Sequence, residues 1–339
     1  MAGQKSFSTI TVIFFLLIFY IPAVSQTRLK DSTVHAIAVA VATNHFEDAI
    51  AWSQKIIDNE PDNPVGYFLL GALTQTLSEE FRNDSRNLLI DSLLTLAIDR
   101  SNEMKESEPD NPELHFISGA SLGYRAIHRA FHGRWFKAFR DGLKCSSHLG
   151  KSLDLDSTYY DAYWGMGSYL YYRTIKARDF LWLPFVSDQR DEGMAMIKRA
   201  IAHGQLAGQL ARESFLRIYW TEERYDDLLG LADSLYGSLP DDAYILTYYI
   251  EGLLGKNRLD EAGIKIDELK AAWQKSPYYD TSGVMEADYM EARLAYMRGE
   301  TDMAEKILKR ILDCIDLRDS NAYFNETYDK ARNLYKEIR

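Results

Sequence analysis

Apolar residues recur at three- and four-residue intervals through most of the chain, the spacing of amphipathic helices and not of strands. The pattern is sharpest in "YFLLGALT" (67–74), "HFISGASL" (115–122) and "YWGMGSYL" (163–170), whose central glycines, Gly71, Gly119 and Gly167, fall 48 residues apart. A unit is therefore written three times. A glycine inside a helix costs about 1 kcal/mol relative to alanine, so the three are expected to mark close approach of a neighbouring helix and to behave alike. The pattern predicts helix pairs over 31–59, 64–107, 112–155, 159–203, 207–238, 241–274 and 283–316, with a last amphipathic helix at about 320–338.

The joints carry their own signal. "EPDNP" stands at 60–64 and again at 108–112, each copy seven residues ahead of one of the glycines. Pro61 cannot continue an interior helical turn, Asp62 or Asn63 suits an N-cap, and Pro64 suits the first turn of the helix that follows. "LPDDA" at 239–243 is a third version of this connector.

With these motifs the chain resembles the tetratricopeptide-repeat family. Tyr67, Leu70 and Gly71, then Tyr163, Met166 and Gly167, and more weakly His115, Ser118 and Gly119, match the first helix of that repeat. In the second helix Ala49 is followed twelve residues later by Pro61, Ala262 and Ala304 take the same small-residue place, and Leu228 stands there ahead of Pro240. The resemblance covers about 31–316 and implies an all-α, right-handed superhelical solenoid of antiparallel helix pairs, with 317–339 as a capping helix. A spacing of 48 exceeds the 34 of the standard repeat, so the middle helices should be about two turns longer. It further implies binding on the concave face formed by the first helix of each pair. Carried over position by position, that face holds Phe68 and Gln75, Phe116 and Tyr124, and Trp164, Ser168, Tyr171 and Tyr172.

Composition narrows the function. Of 339 residues 46% are hydrophobic and 26% charged, and 39 Lys+Arg against 50 Asp+Glu give a net charge of −11. Nucleic acid is bound through clustered positive charge, so that class is disfavoured. Residues 1–25 read as a cleaved signal peptide: Lys5, the apolar run "TVIFFLLIFYI", then small residues at Ala23 and Ser25. The run is short for a stable span, and the expected product is periplasmic or secreted. Cys145 and Cys314 are expected to remain unbridged. No nucleophile elbow, phosphate loop or metal-ligand motif is present in the sequence, so the chain reads as a non-catalytic scaffold for a protein or peptide partner, with no cofactor and no metal. The alternative is a binding protein for a small or lipid-like ligand held in an apolar cavity among Tyr124, Trp164, Tyr171 and Trp182.

Two segments stand out against that background. "GYRAIHRAFHGRWFKAFRDGLK" (123–144) gathers Arg125, His128, Arg129, His132, Arg134, Lys137 and Arg140 in an acidic chain, and Arg125 and Arg129 are expected to receive an anionic group. "KARDFLWLPFVSDQRDEG" (176–193) interrupts the fourth pair, and its Phe180, Trp182 and Phe185 are expected to act as a lid.

Overall fold

The computed structural model describes residues 28–176 and 187–339, the side chain of Asp319 aside. Sixteen α-helices occupy the described residues. They run as antiparallel pairs: α1 (Ser32–Ala42) with α2 (Phe46–Asn59), α3 (Pro64–Glu80) with α4 (Asn87–Lys105), α5 (Pro112–Phe131) with α6 (Trp135–Leu155), and α7 (Tyr160–Lys176) with α8 (Arg190–His203). Then follow α9 (Gly208–Thr221) with α10 (Tyr225–Tyr236), α11 (Ala243–Gly255) with α12 (Leu259–Lys275), and α13 (Thr281–Met297) with α14 (Thr301–Leu312). The end is covered by the short α15 (Ile315–Ser320) and by α16 (Phe324–Ile338), where the sequence suggested one helix. The architecture is an all-α solenoid of stacked antiparallel helix pairs. The extra length lies in its middle, where α3 to α6 have 17, 19, 20 and 21 residues.

The two "EPDNP" copies build the same joint. Asn63 and Asn111 are the N-caps, accepting from the backbone N–H groups of Val65 and Glu113 at 3.1 and 3.0 Å. The amide of each also donates to the glutamate that opens the motif, Glu60 or Glu108. One turn into the helix, Tyr67, His115 and Tyr163 each reach back to the carbonyl six residues earlier, Pro61, Pro109 and Ser157, at 3.0, 3.0 and 3.1 Å. The 48-residue unit is thus a repeat of geometry as well as of sequence. In the second helices Ala49, Leu228, Ala262 and Ala304 are all fully buried, because that place faces the first helix of the same pair and leaves no route to water.

Gly71, Gly119 and Gly167 occupy equivalent places on α3, α5 and α7, but not equivalent surroundings. A Cβ at Gly71 or Gly119 would meet mainly the side chain of Leu94 or Leu149, whereas one at Gly167 would stand 2.4 Å from the carbonyl oxygen of Gly193. In the fourth pair two helix backbones touch directly.

The solenoid also closes on itself. The α3–α4 loop is held by the other end of the chain: Asn83 donates to the Tyr278 carbonyl at 3.3 Å, and Asn321 donates to that of Arg82 at 2.8 Å. The ring of Tyr278 packs on Phe46 and Phe81 with the Arg86 guanidinium over it, and Phe131 packs on Tyr323 at 5.0 Å between centroids. One buried cluster consequently runs from Leu29 and Phe46 in the first pair to Trp273 and Leu294 near the last.

Cys145 and Cys314 are both free thiols, and burial pushes the Cys145 thiol up to about 12. Among the described residues no helix is long and apolar enough to cross a membrane.

Candidate functional site

Closure turns the concave face into an interior surface, and its hub is Arg217 on α9. The Arg217 guanidinium donates to the Tyr248 hydroxyl of α11 at 2.8 Å and pairs with Glu79 at the end of α3 at 2.9 Å. Tyr172 of α7 lies beside it. With 31% of its side chain accessible, Arg217 is wetted by solvent although three helices converge on it. Beside it Trp220 donates to Glu251 at 3.2 Å, and Arg293 of α13 pairs with the same carboxylate at 2.7 Å. Arg82 pairs with Glu286, and α16 contributes Lys330, paired with Glu326 at 2.7 Å and lying over the Trp220 ring. Burial holds the Tyr124 and Tyr172 hydroxyls above the usual phenol range, so both remain neutral hydrogen-bonding groups.

Three carboxylates on this surface have no ion pair among the described residues: Glu80, Glu213 and Asp242. They come from three separate repeats. Asp242 caps α11 by accepting from the Ile245 N–H at 2.9 Å and takes the Asn44 amide at 3.2 Å. Glu80 lies near the Ala243 N–H at the same helix start, and Glu213 is held by Gln209 at 2.8 Å. Burial, with the neighbouring carboxylates, raises Glu80 and lifts Glu213 to about 7; burial raises Asp242.

The sign of the consequence follows from linkage. A carboxyl raised in the folded state above 4.5 contributes stability below that value and loses it as pH rises through its folded pKa. Stability is therefore expected to fall between about pH 5 and 8, by on the order of 1–3 kcal/mol from Glu213. His132, raised by its hydrogen bond to Asp84, slopes the same way, so the measurement is a difference. The urea midpoint of Glu213→Gln should depend less on pH over that window than that of the unsubstituted chain. Parallel curves would refute it.

The residues singled out from sequence divide. Tyr124 and Tyr172 lie on the inner surface, near Glu79. Phe68 and Phe116 do not: both are buried, packed edge-to-face on each other at 5.9 Å and continued by Tyr124 and Tyr159. They fill the gap between successive long helices. Tyr171 is fully buried, with its ring on Tyr172 and its hydroxyl donating to Glu222 at 3.4 Å. Trp164 packs into the α7–α9 core. Tyr124, Trp164 and Tyr171 therefore do not converge on one apolar cavity.

Arg125 and Arg129 are corrected outright. Arg125 is bidentate on Asp141 at 2.9 and 3.2 Å and reaches Thr95 at 2.8 Å; Arg129 spans Asp141 at 2.6 Å and Asp91 at 2.9 Å. The donor forks are filled by carboxylates on flanking helices, so no incoming anion finds them free. Phe180, Trp182 and Phe185, read as a lid, lie outside the described residues. Among those described, no group of His, Cys, Asp and Glu could hold a metal. The groups of this surface that the sequence left unmarked are Arg217, Glu80, Glu213 and Asp242. A lone arginine or a cap aspartate in a helical repeat carries no local mark, and only the repeat register, which puts first helices inside, could have pointed to them.

No protein-family model matches the chain, and no curated protein matches it. Among solved structures it is similar to a tetratricopeptide-repeat protein from Parabacteroides merdae, at 13% identity and TM-score 0.42 over 88% of this chain and 97% of that one. It is also similar to a thermophilic TPR protein from Thermus thermophilus, at 14% identity and TM-score 0.42 over 66% of this chain and 97% of that one. Yeast Tom70 follows at 12% identity and TM-score 0.39, over 90% and 84%.

Proposed function

We propose that this chain is an exported, non-catalytic repeat scaffold that takes a segment of a protein or peptide partner along its inner surface. The observation that carries the reading is the assembly of Arg217, Tyr172, Tyr248, Glu79 and the carboxylates Glu80, Glu213 and Asp242, from separate repeats, on one interior face that solvent reaches at Arg217 and Glu79. Stacked helical repeats present rigid, extended surfaces suited to such contacts. The groups that lack an ion pair there are carboxyls whose ionisation burial disfavours and a nearby cation would favour, so the segment is expected to bring a lysine or arginine where the sequence alone suggested an anion. Export rests on the leader-like first 25 residues.

A photo-crosslinking residue in place of Tyr172 tests the site. It should capture a protein from the exported fraction, while the same residue in place of Ile264, exposed on α12, should not. Capture from Ile264 alone, or from neither, would exclude the inner surface as the site.

A further inference from the structure

We propose that the first half of α6 is a docking face for an anionic lipid surface. The helix starts with Trp135 and Phe136 and carries Phe139 and Leu143 on the same side, all four exposed, with Phe136 at 93% and Phe139 at 69%. Projected at about 100° per residue, the four occupy an arc of about 100°, and Arg140, Lys144 and Lys137 fill the next 60° or so. The two stripes run side by side down the outside of the molecule, while Ala138, Asp141 and Cys145 of the same helix face inward and are buried. A further exposed apolar residue stands at the start of α4. Asn87 and Trp135 line one surface cavity, and Leu88, next to Asn87, is 82% exposed.

Charge decides the occupant. Lys137, Arg140 and Lys144 make no ion pair among the described residues. The one acidic residue between 134 and 148 is Asp141, which is 2% accessible and already committed to Arg125 and Arg129. The outward face is thus uniformly basic on a chain of net charge −11. Exposed aromatic and aliphatic side chains beside a row of unpaired cations are what an interfacial helix presents to a headgroup layer: rings enter the acyl boundary and cations meet lipid phosphates. A second copy of the chain fits poorly, because a two-fold contact through this face would oppose the same cations on both sides. The proposal does not depend on the inner-surface reading, since the two faces lie on opposite sides of the solenoid wall.

The test is flotation of the chain from Gln26 onward, which retains every described residue, with vesicles of phosphatidylglycerol and phosphatidylcholine in equal parts. Partition should weaken by at least about tenfold for Phe136→Ser/Phe139→Ser, given the apolar area withdrawn. It should weaken comparably for Lys137→Glu/Arg140→Glu and at high salt, which screens exposed charge. Vesicles of phosphatidylcholine alone should bind less. Both variants change only exposed side chains, and circular dichroism should give unaltered spectra and melting. No flotation with anionic vesicles, or flotation indifferent to both variants, overturns the proposal. So does concentration-dependent dimerisation that Phe136→Ser/Phe139→Ser abolishes in the absence of vesicle binding, which would make this face a contact between copies.

Discussion

Replacing Asp141 with alanine is expected to destabilise the protein by about 3–5 kcal/mol, the range for breaking a buried ion pair from one side. Asp141 is nearly inaccessible and holds both Arg125 and Arg129, so its loss leaves two guanidinium groups beside a hole where their shared acceptor stood. Arg129 keeps Asp91 and Arg125 keeps Thr95, which limits the cost. An Asp141→Asn variant retains one acceptor oxygen and should fall between. Replacing the three together by apolar residues of similar size, Arg125→Met, Arg129→Met and Asp141→Leu, should recover most of the loss, since no buried charge then remains unpaired. Urea denaturation gives the numbers. An Asp141→Ala variant within 1 kcal/mol or so of the parent would show that solvent reaches the seam and that its charges are screened.

Gly167→Ala is the second large effect, expected at about 3 kcal/mol against at most about 1 for Gly71→Ala. The added methyl is the same, but its neighbour is not. At Gly71 the nearest atom is Leu94 Cδ2 at 2.9 Å, the far end of a side chain that can rotate, and alanine's better helix propensity offsets part of the strain. At Gly167 the Cβ would press on the Gly193 carbonyl oxygen and, at 3.0 Å, on the Ile197 backbone nitrogen, neither of which moves without shifting α8. Gly119, with Leu149 side-chain atoms at 2.8 Å and its backbone nitrogen at 3.1 Å, should lie between. Thermal melts of the three alanine variants test the order. Equal losses would mean that α8 yields as easily as a leucine side chain does.

The equivalent places of those glycines on α3, α5 and α7 were legible in the sequence because period and cap chemistry are local, whereas their unlike neighbours, which keep them from behaving alike, were not. "EPDNP" specifies a joint within five residues, and Ala49 or Ala262 announces a close helix crossing by its size alone. What lay beyond reach was pairing across distance. Arg125 and Arg129 looked like a vacant basic patch because cations are conspicuous in an acidic chain, while their acceptors are scattered. Asp91 is 38 residues from Arg129, and Asp141, inside the quoted stretch, shows its burial only once α6 is docked. The aromatic stripe failed for a different reason: long first helices leave a wide gap between neighbours, and Phe68 and Phe116 fill it instead of facing the interior. Arg217 and the carboxylates near it come together only through the closure, which no single repeat encodes.

That closure changes how the chain must fold. An open solenoid forms by nearest-neighbour steps and can begin anywhere along its length. Here the α3–α4 loop finds Tyr278 and Asn321 across 195 and 239 residues, so the first third of the protein waits for the last to be made. Such contacts raise the mean sequence separation and slow the final step. They also tie the first pair to α12 and α13 in one buried cluster, while α14 and α16 form a cluster of their own, so that fraying at the first repeat, which in an open array breaks contacts with its one neighbour, must here also part residues from the far end of the chain.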